Sequence, residues 1–349
     1  MKKIVNFYGI IIMLLISQGG NSQPADSLYK VSTWYGFRKT AVSFTFDDGS
    51  PNQYSKAIPL FNEFEVNLTL FIVTESSWAW PANWSVLQNA ADKGHEIASH
   101  TVTHTSFAEI DDSLENIELE ESQKEINNHI TGQQCITMAY PFCVTGNKSI
   151  CRQYYIAARI CSGVIEPSTP PDFMAISSII CGSEGSVRTS GDFINRADSA
   201  LQSRGWCIYL IHGVDNDGGW SSVSSEVLRE TLQYMSEHPN DYWVDTFGNV
   251  ARYIKERDAA CIKELSVQDN SISIQVSDTL DDKIFNYPIS IRRLLPEDWT
   301  SCKVAQNGQP VEAQIREEDD TRYIQFEVIP DKGEVVISRC TETVIPNHE

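Results

Sequence analysis

The hydrophobic pattern of this chain changes twice along its length. From Thr40 to about residue 260, short apolar runs rich in β-branched and aromatic residues alternate with stretches of helical periodicity. This alternation predicts a parallel sheet built from βα units, and seven such strands predict a barrel-like (β/α)7 sheet. The predicted strands are Ala41–Phe46, Asn67–Val73, His95–Ser99, Cys135–Pro141, Ala175–Cys181, Cys207–Ile211 and Tyr242–Thr246, and the predicted helices are Ser55–Phe64, Trp84–Lys93, Ser113–Ile130, Ser225–Glu237 and Phe247–Arg257.

After Lys263 the helical periodicity stops, and short alternating runs with turn residues between them predict an all-β segment. The predicted division is a lead-in at 23–39, an α/β domain at 40–259 and a small antiparallel β-sandwich domain at 260–349. The predicted strands of the last part are Ile272–Val276, Ile289–Arg293, Val311–Ile315, Tyr323–Val328 and Glu334–Ser338.

The first 22 residues have the order of a secretory signal. Lys2 and Lys3 precede an apolar run from Ile10 to Ile16, and small polar residues follow as far as Ser22. This order predicts a signal peptide at 1–22 and export to the periplasm or the extracellular space, with an uncleaved membrane anchor as the alternative. No later segment approaches the length of a membrane span.

Composition narrows the choice of partners and of cysteine chemistry. Asp and Glu number 47 against 27 Lys and Arg, a formal net charge of −20, which disfavours nucleic acid and anionic membrane surfaces. Nine cysteines are an odd number, so one at least stays unpaired within a monomer, and no CxxC pair indicates a cysteine zinc site. Cys302 and Cys340, the two cysteines after Cys261, are the candidates for a local disulfide.

Three short motifs follow predicted strands, where (β/α) barrels carry their active sites. Asp47 and Asp48 follow the first strand, and His212 follows the strand that ends at Ile211. His100 and His104 would lie about 13 Å apart in an extended chain. In one helical turn they would come to one face, about 6 Å apart at Cβ. A shared metal therefore requires a turn between them. The alternative is that they are two unrelated surface histidines, which would require no turn.

Together these motifs resemble the ordered motifs of the polysaccharide deacetylases, carbohydrate esterase family 4. The resemblance covers about residues 40–260. It rests on the segments Phe44–Gly49 (FTFDDG), Gly94–His104 (GHEIASHTVTH), Ala139–Phe142 (AYPF) and Leu210–His212 (LIH).

The resemblance implies a metal-dependent enzyme that removes N- or O-linked acetyl groups from an acetylated polysaccharide or oligosaccharide. It implies that Asp47 is the general base, that Asp48, His100 and His104 are the metal ligands, and that His212 is the general acid. Two histidines and one carboxylate leave coordination positions open for water and a carbonyl oxygen, as a hydrolytic site requires. Zinc is the expected metal, and Co²⁺ or Ni²⁺ would fit the same ligands. The resemblance also implies that Tyr140, Pro141 and Phe142 line the oxyanion and substrate groove.

The chain departs from the family pattern at the third motif. Ala139 stands where the family commonly has an arginine that orients the base, and the Asp-Trp pair that braces this arginine is not found between Gly182 and Trp206. A carbohydrate-binding protein that has lost catalysis on the same fold is therefore the alternative function. Trp220 and three tryptophans at positions 78, 80 and 84 lie in or near predicted loops, where they either stack on sugars or cap the core.

Overall fold

A computed structural model describes residues 28–75, 80–318 and 320–340 of this chain. The predicted signal peptide at 1–22 lies outside the described residues. The α/β part begins with strand β2 after a short N-terminal strand. In chain order, the short N-terminal strand and the strands of the α/β part are β1 (Tyr29–Val31), β2 (Thr40–Asp47), β3 (Thr69–Ile72), β4 (Glu96–Ser99), β5 (Thr137–Ala139), β6 (Ala157–Arg159), β7 (Ile179–Ile180), β8 (Trp206–Ile211) and β9 (Tyr242–Val244).

The central sheet is parallel throughout, in the order β6-β5-β4-β3-β2-β8-β7, with β9 paired to β2. An isolated parallel bridge between Arg159 and Ile176 lies between the two ends of this order, so the sheet curls towards itself. Strand β2 is buried along its whole length, as expected for a strand covered on both faces. The predicted barrel-like (β/α) fold is confirmed.

Helices cover the outside of the sheet. Side chains such as Phe44, Phe61 and Tyr209 pack between the strands and these helices. The helices are α1 (Ile58–Glu63), which continues a π-helical turn at Gln53–Ala57, α2 (Trp84–Ala91), α3 (Asp112–His129), α4 (Lys148–Tyr154), α5 (Ser190–Ser203), α6 (Ser225–Glu237) and α7 (Phe247–Ala259).

Four details of the predicted α/β pattern were wrong or incomplete. Strand β6 and helices α4 and α5 were missed, and the predicted strand Ala175–Cys181 is regular only at Ile179–Ile180. Strand β6 is only three residues long, too short to show an alternation, whereas helix α5 buries Phe193, Ala197 and Ala200 at helical spacing, a period that the sequence analysis overlooked.

The C-terminal part contains two antiparallel sheets, as the sequence predicted. One has the order β1-β12-β16-β15 and the other β10-β11-β17-β13-β14, so a strand of the N-terminal lead-in joins the first. The predicted strand Val311–Ile315 is two strands, and two further strands, β10 and β13, were missed. The strands are β10 (Cys261–Gln268), β11 (Ser271–Ser277), β12 (Ile289–Leu294), β13 (Cys302–Gln306), β14 (Gln309–Val311), β15 (Ala313–Glu318), β16 (Thr321–Val328) and β17 (Val335–Arg339).

The predicted Cys302–Cys340 disulfide is wrong. The register of β13 and β17 pairs Cys302 with Arg339, while the backbone N–H of Cys340 donates to Ser301, so the two thiols are offset and both are free. The disulfide that forms joins Cys143 to Cys161.

Within the described residues, no helix combines the length and the apolar character that crossing a bilayer requires.

Candidate active site

The three predicted motifs meet at the carboxyl ends of neighbouring parallel strands. Asp47 is the last residue of β2, and Asp48 follows it with a positive φ of 71°. His100 follows β4, and His212 follows β8, which pairs directly with β2. Parallel strands present their carboxyl ends at one edge, so residues distant in sequence share one site.

Asp48, His100 and His104 form a cluster with the geometry of a metal site. Their ligand atoms all lie within 4.8 Å of one another. Asp48 Oδ1 lies 3.6 Å from Nε2 of His100 and 3.6 Å from Nε2 of His104. Ligand atoms of a tetrahedral zinc ion lie about 3.3 Å apart, given bonds of about 2.0–2.1 Å. These spacings fit a divalent ion.

The hydrogen bonds of the cluster leave one ligand atom of His100 and one of Asp48 available. His100 Nδ1 lies 2.8 Å from the carbonyl oxygen of Ala139, which can only accept, so Nδ1 carries the proton and Nε2 keeps its lone pair. Asp48 Oδ1 is buried without a hydrogen-bond partner among the described residues. A buried, unpaired carboxylate oxygen between two imidazoles is costly unless a cation is bound there.

Burial also keeps the histidines neutral, the form that binds metal. Burial lowers the pKa of His100 to about 3, although the neighbouring Asp47 opposes the shift. Burial lowers the pKa of His104 as well.

His100 and His104 converge without the predicted helical turn. Their rings meet edge to face, with centroids 4.7 Å apart. The segment between them is an irregular bend in which Thr101 and His104 both have positive φ. A turn was required by the spacing, and its backbone form differs from the one expected.

Asp47 is held by an arginine that the sequence motifs did not indicate. Arg159, at the end of β6, is 1% exposed and donates from Nη2 to Asp47 Oδ2. Its Nη1 donates to Ser178 Oγ at 3.0 Å, and its guanidinium lies 5.2 Å from the centre of the Phe71 ring. Arg159 is the register partner of Ala139 on the adjacent strand. A guanidinium thus reaches Asp47 from the strand next to the one that carries it in the family pattern.

His212 lies on the other side of the carboxylates. Its Nε2 is 4.0 Å from Asp47 Oδ2 and 4.0 Å from Asp48 Oδ2, and burial lowers its pKa to about 4. The buried amide of Gln53 donates to the carbonyl oxygens of Asp47 and His212. This one side chain therefore fixes the ends of β2 and β8 relative to each other.

A cavity of about 550 Å³ opens over these residues. Two exposed aromatic rings stand beside it. Phe142, 66% exposed, packs against His104, and Trp220, 48% exposed, packs against His212, each with ring centroids 4.7 Å apart. The Cys143–Cys161 disulfide also lines the cavity. The metal cluster is thus reached through a largely apolar opening.

The remaining predicted groove residues differ in position. Tyr140 lines the cavity although it is 1% exposed, whereas Pro141 is buried outside the lining. Among the tryptophans, Trp84 stacks on His129 with ring centroids 4.3 Å apart and is not part of the lining, and position 78 lies outside the described residues.

Arg159 and Gln53 were missed in the sequence. Arg159 is a single cation in the apolar segment Tyr155–Cys161, and such a buried charge signals a partner. Gln53 follows the Asp-Asp-Gly-Ser turn and has no comparable signal.

Comparison with known proteins agrees with this geometry. Residues 35–154 match the family model described as polysaccharide deacetylase. A gellan lyase from a Bacillus species is 30% identical over 329 residues, which is 88% of this chain and 13% of that protein. This chain therefore spans about an eighth of the curated relative it matches.

A solved structure of a proposed polysaccharide deacetylase from Mycobacterium smegmatis shares the fold. The TM-score is 0.50 at 15% identity, over 65% of this chain and 94% of the other. The family match contains Asp47, Asp48, His100, His104 and the Ala139–Phe142 segment. On this match, residues 35–154 are similar to the polysaccharide deacetylase family, and the solved structure shares the fold.

Proposed function

We propose that this protein is a metal-dependent hydrolase that removes acetyl groups, N-linked or O-linked, from a carbohydrate polymer or oligomer. The observation that carries the proposal is the convergence of Asp48, His100 and His104 on one point, with Asp47 and His212 close beside it. We further propose that the protein acts after export, as the signal-like N-terminus predicts.

The metal site would be formed by Asp48 Oδ1 and by Nε2 of His100 and His104. A divalent metal there, with zinc expected, would supply the Lewis acidity that polarises an acetyl carbonyl and acidifies water. Because only three protein ligands converge among the described residues, positions remain for the substrate and water.

Asp47 is the proposed general base. Its Oδ2 is occupied by Arg159, while Oδ1 is buried without a hydrogen-bond partner among the described residues and can accept the proton of the attacking water. Burial alone would raise the pKa of Asp47. The nearby Arg159, His100 and His212 lower it below its usual value, so the carboxylate is ionised at neutral pH.

His212 is the proposed general acid, which donates a proton to the leaving oxygen or nitrogen. Its Nε2 lies 4.0 Å from Asp47 Oδ2 and lines the same cavity, so both groups are near enough to act on one bound acetyl group. The backbone N–H of Phe142, in the 3-10 turn Pro141–Cys143, is the proposed donor to the oxyanion.

The alternative of an inactive binding protein rested on the missing arginine of the third motif. The contact between Arg159 and Asp47 supplies a guanidinium at the base and supports the enzymatic proposal over that alternative.

Acetate release tests the proposal. Purified protein, stripped with a chelator and reloaded with Zn²⁺, Co²⁺ or Ni²⁺, would be assayed on N-acetylated and O-acetylated glycans. Gellan belongs in the panel because of the relative's name. Release that disappears on stripping and returns with metal would support the proposal and identify the bond. Equal release by the stripped protein would contradict it.

A further inference from the structure

The loop that connects the two metal histidines has a strained backbone. Thr101 has φ of 68° and His104 has φ of 62°, and both are non-glycine residues. Non-glycine residues in the left-handed region are strained and persist only where surrounding contacts hold them. The loop that sets the position of His104 therefore needs an anchor.

Glu118, on the second turn of helix α3, makes the contacts of such an anchor. Its Oε2 accepts hydrogen bonds from the backbone N–H groups of Val102 and Thr103, at 2.8 and 2.9 Å. Its Oε1 accepts from the Thr103 hydroxyl at 2.6 Å. One carboxylate thus accepts hydrogen bonds from three donors in the segment between His100 and His104. Hydrogen bonds to an ionised acceptor are stronger than those between neutral groups.

The same helix also reaches the beginning of the loop. Ser122, one turn after Glu118, shares a hydrogen bond of 2.8 Å with Ser99 Oγ, which accepts from the backbone N–H of Thr101 at 3.1 Å. The loop also closes on itself, because the backbone N–H of His104 donates to Thr101 Oγ1 at 3.0 Å. Helix α3 is therefore a support for the metal loop as well as an outer layer of the barrel.

We propose that Glu118 is a positioning residue for the metal centre: its carboxylate holds the 101–104 loop in the bend that points His104 at Asp48. The inference rests on the proposed metal site. Without this anchor, metal binding would have to order the loop, and that cost would appear as weaker affinity.

The test is the zinc affinity of Glu118→Ala and Glu118→Gln, measured by chelator competition. Contacts that orient metal ligands typically contribute about 10- to 100-fold in affinity. We expect a loss in this range for Glu118→Ala and a smaller loss for Glu118→Gln, which keeps one acceptor. The matched control is Glu121→Gln, on the same helix, where the exposed carboxylate pairs with Lys124.

Two further readouts separate positioning from general stability. The metal-free Tm of the Glu118 variants should lie close to that of Glu121→Gln, and acetate release should return towards the wild-type kcat at saturating zinc. An equal loss of metal-free stability and kcat, with unchanged zinc affinity, would overturn the inference.

A second variant covers the case in which Glu118 cannot be replaced without unfolding. Thr103→Val keeps the shape of an exposed side chain and removes its hydrogen bond to Glu118, so we expect weaker zinc binding than in the wild type. Wild-type affinity in Thr103→Val and in any folded Glu118 variant would overturn the inference while the proposed function stands. Absence of zinc binding by the wild type would overturn both.

Discussion

Asp47 and Asp48 are adjacent carboxylates whose surroundings move their pKa values in opposite directions. Burial and the neighbouring Asp47 raise the pKa of Asp48 to about 7, although Arg159 opposes the shift. At Asp47 the same cation, together with His100 and His212, outweighs burial and lowers the pKa. Such a separation suits a division of labour, with one carboxylate ready to take a proton and the other ready to exchange its proton for a metal ion.

Arg159→Gln tests the orientation of the base. Loss of the guanidinium leaves Asp47 free to rotate in a buried site, so we expect kcat for acetate release to fall about 10- to 100-fold, a range typical for contacts that orient catalytic groups. KM and zinc content should change little, because Arg159 is not itself a lining residue of the cavity and its side chain hydrogen-bonds Asp47 and Ser178, not the proposed metal ligands. Steady-state kinetics at saturating zinc measure kcat and KM separately.

The pairing of β5 with β6 suggests a way to restore the kcat that is lost when Arg159 is replaced. Ala139 is the partner of Arg159 on β5, so Ala139→Arg combined with Arg159→Ala returns the guanidinium to the strand that carries it in the family pattern. Recovery of part of kcat in the double variant would support orientation as the role of Arg159. A single Arg159→Gln variant with wild-type kcat would contradict that role.

At this scale the sequence located the residues that converge in the candidate site better than the residues that hold them in place. Asp47, Asp48, His100, His104 and His212 are brought together because each follows a strand, which the apolar pattern locates. The supports Arg159, Gln53 and Glu118 act through tertiary contacts. Glu118 in particular lies in a helix of mostly polar and charged residues, where nothing local distinguishes it from its solvated neighbours.

The ends of β5 and β6 carry the groove loop and the arginine, and one covalent bond joins them. Phe142 and Cys143 follow β5, both with positive φ, and Cys161 lies two residues after Arg159. The Cys143–Cys161 disulfide connects these segments beside the cavity, with 5.6 Å between its Cα atoms. It therefore links the proposed oxyanion donor to the strand that orients the base.

Removing the disulfide should destabilise the protein and slow the reaction. The bridge closes a loop with a sequence separation of 18, for which the loss of unfolded-state entropy is worth about 3 kcal/mol. We expect the Cys143→Ser, Cys161→Ser double variant to lose about this much stability in urea unfolding and to have a lower kcat.

Reductant provides the matched comparison. Wild-type protein treated with dithiothreitol should approach the double variant in stability and kcat, and the double variant should not respond to the reagent. A wild type whose stability and kcat are the same with and without reductant, in a sample shown by thiol titration to be reduced, would contradict the prediction.

At the scale of elements, strands with a strong apolar run were located well, and short or polar ones were not. Strand β6 has three residues, and β10 exposes much of its length, so neither shows the alternation that marks a strand. The disulfide was missed for a related reason: its pairing depends on the adjacency of β5 and β6, which sequence spacing does not state.

On the scale of the whole molecule, the barrel and the C-terminal sheets share one apolar core. Trp206 and Phe247 of the α/β part belong to the same buried cluster as Ile274 and Phe326 of the two β-sheets. Helix α7 contributes a polar contact to this junction, because Glu256 accepts hydrogen bonds from the backbone N–H of Tyr287 at 3.0 and 3.2 Å.

This junction should make stability depend on pH. Burial raises the pKa of Glu256 from 4.5 to about 8 in the folded protein. Between these values the unfolded chain releases the proton that the folded protein keeps, so this contribution to stability is present below pH 4.5 and is lost as pH rises to about 8. We expect Glu256→Gln, which mimics the protonated group, to lose less stability than the wild type between pH 5 and about 8.

The measurement is the free energy of unfolding as a function of pH, with Glu237→Gln, an exposed glutamate on helix α6, as the control. The control should follow the wild-type curve. Parallel curves for Glu256→Gln and the wild type would contradict the raised pKa.

The overall architecture was predictable as an α/β barrel followed by an all-β segment. The participation of β1 was not, because Tyr29 pairs with Arg293, more than 260 positions later, through a strand of three residues. The domain boundaries 40–259 and 260–349 remain a prediction, because one buried apolar cluster contains residues of both parts.

The most direct test of the central claim compares Asp47→Asn with the wild type at saturating zinc. Asparagine cannot act as the base, and general-base catalysis contributes about 100- to 10,000-fold, so we expect kcat for acetate release to fall by that factor while zinc remains bound. An Asp47→Asn variant that retains zinc and releases acetate at the wild-type rate would contradict the proposed mechanism. A zinc-loaded wild type that releases no acetate from any glycan would contradict the proposed function.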